Sequence, residues 1–120
     1  MRQIMKKVKQ SCSINTKCVP CSGKMKPLPR QDAEKFLKEI PKWNISENGL
    51  SIFRSYICDD FMHAIYIELS IAFMAEREGH HPDLHLTQYK NIQIVLTTFA
   101  AKGLTMNDFV LAKMIDSILT

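Results

Sequence analysis

Beyond residue 30 the hydrophobic positions change period in a regular way. Between residues 31 and 40, Ala33, Phe36, Leu37 and Ile40 recur at the i, i+3, i+4, i+7 spacing of an amphipathic helix, which Pro41 ends. The stretches 43–45 and 50–56 are short β-prone runs, and the Asn48-Gly49 pair between them suits a tight turn, so a hairpin is predicted. From Asp60 to Glu78 the spacing of Phe61, Ile65, Leu69, Ala72 and Phe73 returns to the helical period, and Gly79 supplies a left-handed cap. A second antiparallel pair follows, at about 84–87 and 90–98, the latter alternating Ile92, Ile94 and Leu96 against Asn91, Gln93 and Val95. After Gly103, Thr105 can cap a last helix, with Asp108 where a capping box usually has Glu or Gln. The predicted order is α-β-β-α-β-β-α. It corresponds to an α+β two-layer fold, a four-stranded antiparallel sheet with its helices on one face.

Composition fits one such domain. The chain has 120 residues, 46% hydrophobic and 23% charged, which supports one core and excludes low-complexity or wholly disordered readings. No apolar run approaches the roughly 20 residues needed to cross a bilayer.

The net charge of +4 is unevenly placed. Residues 1–30 hold eight basic side chains and no acid, so the remaining 90 residues carry −4. With Pro20, Gly23, Pro27 and Pro29 and no apolar period, 1–30 reads as a basic, mobile leader and 31–120 as the domain. A solvated basic terminus outweighs nucleic-acid binding as the reading of that charge. Location is read as cytoplasmic, with an organelle as the alternative raised by the acid-poor start around Ile4, Met5 and Val8.

Cys18-Val19-Pro20-Cys21 is half a zinc site with no second pair at a suitable interval, so no structural metal is expected and the thiols are read as reduced. The leader is therefore expected to be dispensable for chemistry.

The densest polar cluster is Glu76-Arg77-Glu78-Gly79-His80-His81-Pro82-Asp83, with His85 close behind. Glu76 and Glu78 oppose the dipole of the helix end on which they sit, a broken rule of the kind that often marks a site. Pro82 holds His81 extended, so the two imidazoles project from a stiff turn. Near neutrality one of an adjacent pair can act as acid and the other as base. A metal site made of Glu76, His80, His81 and His85 is the second reading, and proton transfer is ranked above it. His63, alone within the long helix, is read as an ordinary partly buried histidine.

Glu76-x-x-x-His80-His81-Pro82, Tyr89 and Thr97-Thr98 ten to eleven residues before Asp108 resemble the pterin-4a-carbinolamine dehydratases, which in animals also serve as the dimerization cofactor of a homeodomain transcription factor. Trp43-Asn44, Asp60-Phe61 and Gly103-Leu104-Thr105 extend the resemblance, and the Lys17–Cys21 leader looks like that of bacterial and organellar members. It implies dehydration of 4a-hydroxytetrahydropterin to quinonoid dihydropterin, a lyase step in tetrahydrobiopterin recycling that needs no cofactor. His80 and His81 are then the catalytic acid and base, and Glu76 orients one of them. Asp83 would bind the pterin edge and Trp43 would wall its ring. The family's usual third histidine is Phe99 here, which implies reduced activity. The resemblance also implies a homodimer or homotetramer and admits an alternative role: a weakly catalytic or non-catalytic interaction protein for a helical partner.

Overall fold

The computed structural model describes residues 14–20 and 25–119. Its elements are α1 (Arg30–Leu37), β1 (Asn44–Ile45), β2 (Ile52–Ile57), α2 (Phe61–Glu78), β3 (Asp83–Thr87), β4 (Asn91–Leu96), a 3₁₀ turn (Phe99–Ala101) and α3 (Met106–Leu119). All strand pairings are antiparallel and the sheet order is β1-β2-β4-β3. The two hairpins are therefore joined through β2 and β4, and the expected α+β architecture is the one found.

Strand alternation assigns the two faces. Ile52, Ile92, Ile94 and Leu96 are buried and belong to one core with Ala64, Ile67 and Ile71 of α2 and Phe109, Leu111 and Ile115 of α3. The opposite register positions, among them Ser55, His85, Thr87 and Gln93, are exposed or half-buried. Helices cover one face of the sheet and leave the other open.

Local chemistry explains where boundaries fall. Asp60 caps α2 by accepting the His63 N–H at 2.7 Å, and Gly79 closes it at φ 69°, a left-handed conformation that costs glycine little. The helix expected to reach Ile40 is α-helical only to Leu37. Its tail tightens into bonds such as Ile40 N–H to Leu37 O, 3.1 Å, which keeps Ile40 buried while Pro41 bars a further α turn. β4 stops at Leu96 rather than Thr98, because Thr97 Oγ1 donates to Leu50 O at 2.6 Å and the chain then enters the 3₁₀ turn. The β3–β4 connection uses two non-glycine residues at positive φ, Gln88 (49°) and Tyr89 (56°).

The described part of the leader lies against the domain. Ile14 is buried in the core, Leu28 N–H donates to Leu104 O at 2.7 Å, and Val19 is held by the side chain of Asn107. These contacts tie residues 14, 19 and 28 of the leader to the domain. Cys12, Cys21 and the basic run of residues 2–9 lie outside the described residues.

Candidate active site

Two chain turns meet where α2 ends and α3 begins. Gly79 reverses the chain after α2 and delivers His80 and His81 to the head of β3, while Thr97 and Thr98 leave β4 and the bridge between Thr98 and Gly103 closes a short loop around Phe99. Between these turns lies a cleft of about 290 Å³ lined by His80, His81, Asp83, Thr97, Thr98 and Phe99, with Gly79, Pro82 and Ala100. Among the candidates, His80, His81, Asp83 and Phe99 share this wall, and Glu76 reaches it through His81.

The two histidines differ sharply in setting. His80 is 5% exposed and its Nε2 lies 2.6 Å from Oδ1 of Asp108, itself fully buried. His81 has a side chain 60% exposed, and its Nε2 lies 2.7 Å from Oε1 of Glu76. An ionised carboxylate only accepts, so each Nε2 is the donor. Two histidine–carboxylate pairs thus stand at successive residues, one carboxylate coming from the last turn of α2 and the other from the first turn of α3.

Asp108 was legible as a helix cap and is more than that. Its Oδ2 accepts the Thr105 N–H at 2.9 Å, the returning half of a capping box, and the Thr98 hydroxyl at 2.8 Å. Because Thr98 donates there, the Thr105 hydroxyl, 2.8 Å from Thr98 Oγ1, donates to Thr98. The acid is satisfied on both oxygens and orients His80 with no exposed atom. The only sequence signal was its fixed interval from Thr97-Thr98; nothing in a capping pattern announces a partner 28 residues away.

Trp43 does not share the cleft. Its indole is 4% exposed within the core, and Nε1 donates to Asp116 Oδ1 at 2.8 Å, beside the Arg54–Asp116 ion pair. The expected aromatic wall is a core residue, because an indole that finds both apolar packing and an acceptor under the sheet gains more from burial than from a solvated cleft. Phe99 supplies the aromatic surface at the cleft instead, with 79% of its area exposed.

The four-ligand metal reading does not converge either. His80 and His81 are engaged by separate carboxylates, and His85 lines a different depression on the open sheet face beside Ser55 and Gln93. Among the described residues no group of three or more His, Cys, Asp or Glu side chains is placed to hold a metal ion. His63 is half-buried, its Nδ1 accepting the Asp59 N–H at 3.0 Å. Burial pushes up the Cys58 thiol, helped by Asp59, Glu68 and Asp60, and the Glu68 carboxyl; neither residue lines the cleft.

The family model described as pterin 4 alpha carbinolamine dehydratase matches residues 26–118. The chain belongs to that family. A Chlorobium luteolum protein bearing the dehydratase name is 41% identical over 105 residues, covering 86% of this chain and 91% of its own. Pterin-4-alpha-carbinolamine dehydratase 2, mitochondrial, of Arabidopsis thaliana is 37% identical over 105 residues, 85% of this chain and 56% of that longer one. A solved transcriptional coactivator/pterin dehydratase of Brucella melitensis superposes with a TM-score of 0.74 at 24% identity, covering 78% of this chain and 99% of that one, a likeness of fold. Family membership supports a dehydratase role. The matched segment starts at residue 26, four residues before α1.

Proposed function

We propose that the protein dehydrates 4a-hydroxytetrahydropterin to quinonoid dihydropterin by proton transfer at His80 and His81. The observation that carries this reading is the pair of adjacent imidazoles on one cleft wall, each held by its own carboxylate. In the reaction the C4a–O bond breaks, the leaving hydroxyl takes a proton and departs as water, and the N5–H proton is lost as C4a=N5 forms. One acid and one base suffice, and the two histidines provide both. Glu76 fixes the ring of the exposed histidine and Asp108 that of the buried one, so the donor geometry is set before substrate arrives. Asp83, exposed at the mouth of the cleft, accepts from the pterin's amide or amine edge, and Phe99 offers a face for stacking. No cofactor takes part in this scheme.

Phe99 stands where the family's third histidine is expected, and reduced activity follows, because a phenyl ring neither bonds to the pterin nor moves a proton. Phe99→His should raise kcat/KM by roughly 2- to 13-fold, the equivalent of one net hydrogen bond of about 0.5–1.5 kcal/mol. Since the ring is exposed, the melting temperature should barely move. An unchanged kcat/KM at unchanged stability would remove this position from substrate contact.

We also propose a homo-oligomer, dimer or tetramer. Phe61, Met62, Tyr66, Leu69 and Phe73 leave an apolar row exposed along α2, more than a small monomer commonly leaves uncovered. The same row favours the alternative role, docking of a helical partner; none of its residues lines the cleft. Sedimentation at micromolar concentration should give a species larger than 13.8 kDa; a monomer there would contradict assembly. No helix among the described residues is long and apolar enough to cross a membrane. We place the protein in the cytoplasm, with an organelle as the alternative that the mitochondrial relative supports.

A further inference from the structure

Three contacts made by the leader fall beside three parts of the cleft. The first is at Glu78, the last residue of α2, whose side chain is 8% exposed. Its Oε1 accepts the Cys18 N–H at 3.2 Å and its Oε2 the Arg77 Nε–H at 3.3 Å. A carboxylate at a helix C-terminus is disfavoured by the dipole, and here it is engaged by the leader backbone. Glu78 lies two residues after Glu76 and two before His80.

The second contact is stronger. Asn107, 1% exposed, clamps Val19 as a neighbouring strand would: Oδ1 accepts the Val19 N–H at 2.8 Å and Nδ2 donates to the Val19 carbonyl at 2.7 Å. The Cys18 thiol also lies 3.7 Å from the Asn107 carbonyl. The next residue is Asp108, which holds His80.

The third contact is at the Phe99 loop. A Cβ added at Gly103 would come within 2.9 Å of Pro27 Cβ, and Leu28 N–H donates to Leu104 O at 2.7 Å, so the chain runs tightly against the residue that closes this loop onto Thr98.

We infer that residues 18–19 and 27–28 form a strap that sets the geometry of both histidine–carboxylate pairs, with Asn107 and Glu78 as positioning residues. This rests on the function proposed above and reverses the sequence-based expectation that the leader is dispensable. Neither residue lines the cleft, so both act through Asp108, His80 and the end of α2. A displacement of about 1 Å in a catalytic group can cost about 10²-fold in rate, which makes a loosened strap measurable.

The test uses the full-length protein. Val19→Pro removes the N–H that Asn107 accepts, and Glu78→Ala removes the acceptor for Cys18, whereas Glu78→Gln retains an oxygen there. Expected for the first two is a fall in kcat of about 10- to 10²-fold with KM within about twofold. The His80 ring N–H, watched by NMR, should exchange with solvent at least about tenfold faster as its pairing to Asp108 opens more often. Glu78→Gln should recover most of both. If one variant fails to fold, the other decides.

A lower melting temperature with unchanged kcat and unchanged ring exchange would reduce the strap to a structural attachment and overturn the inference. The exchange measurement needs no turnover. Should the unaltered protein lack dehydratase activity, faster exchange in the variants would still support the strap, and unchanged exchange would still refute it.

Discussion

Replacing His81 with Ala is expected to lower the rate of pterin carbinolamine dehydration by about 10²- to 10⁴-fold, the range of a general acid or base contribution, while leaving the fold intact. Stability should be preserved because the ring is mostly exposed and its partner Glu76 is exposed too, so removing it uncovers no buried charge. His80→Ala should slow the reaction to a similar degree and destabilise the protein as well, since it leaves the fully buried Asp108 short of a partner. Measuring melting temperature beside turnover separates the two histidines: one variant is slow and stable, the other slow and weakened. A folded His81→Ala protein with the original rate would remove His81 from the chemistry.

The second large effect belongs to Asp108. Its two oxygens hold His80, Thr98 and the Thr105 N–H in one buried network, so Asp108→Ala removes three hydrogen bonds and strands their donors. Breaking a buried charged network from one side costs about 3–5 kcal/mol, which for a domain of this size lowers the melting temperature by at least about 10 °C. Asp108→Asn keeps the volume and one acceptor oxygen, and should retain more stability than the Ala variant. It should still lose about 10²-fold in rate, because an amide cannot hold the imidazole as the carboxylate does. Thermal unfolding together with the dehydration assay checks both parts. An Asn variant of full activity would mean that the buried pair only supports the fold.

Features that act locally along the chain are the ones readable in the amino-acid sequence. The long helix was legible to within one residue, its end marked by Gly79, while Asp60, read as its first residue, is its cap. Both hairpins were legible too, though the turn at Gln88 and Tyr89 carries no glycine, and only the alternation on either side locates it. The β4 boundary slipped where a partner distant in sequence intervened: the Thr97 hydroxyl donates to the Leu50 carbonyl. The cluster around His80 and His81 stood out because it broke local rules, and Glu76 is bonded to one of those rings.

What sequence could not give were the long-range partners. Asp108 already has a reading as a helix cap, so its second task left no local trace. Trp43 looked like a wall for a flat ring because its family motif was visible and its burial was not; the competing acceptor, Asp116, lies 73 residues away. The contacts of the leader are long-range too. Its proline-rich stretch has no apolar period, and the groups that hold Cys18 and Val19, Glu78 and Asn107, are reached only through the fold.

The most direct test is to generate 4a-hydroxytetrahydropterin in situ and compare its dehydration with and without the protein. A clear acceleration over the spontaneous reaction is expected, lost when His80 and His81 are both replaced by Ala. A rate no faster than the spontaneous one, from folded protein, would rule out the dehydratase reading.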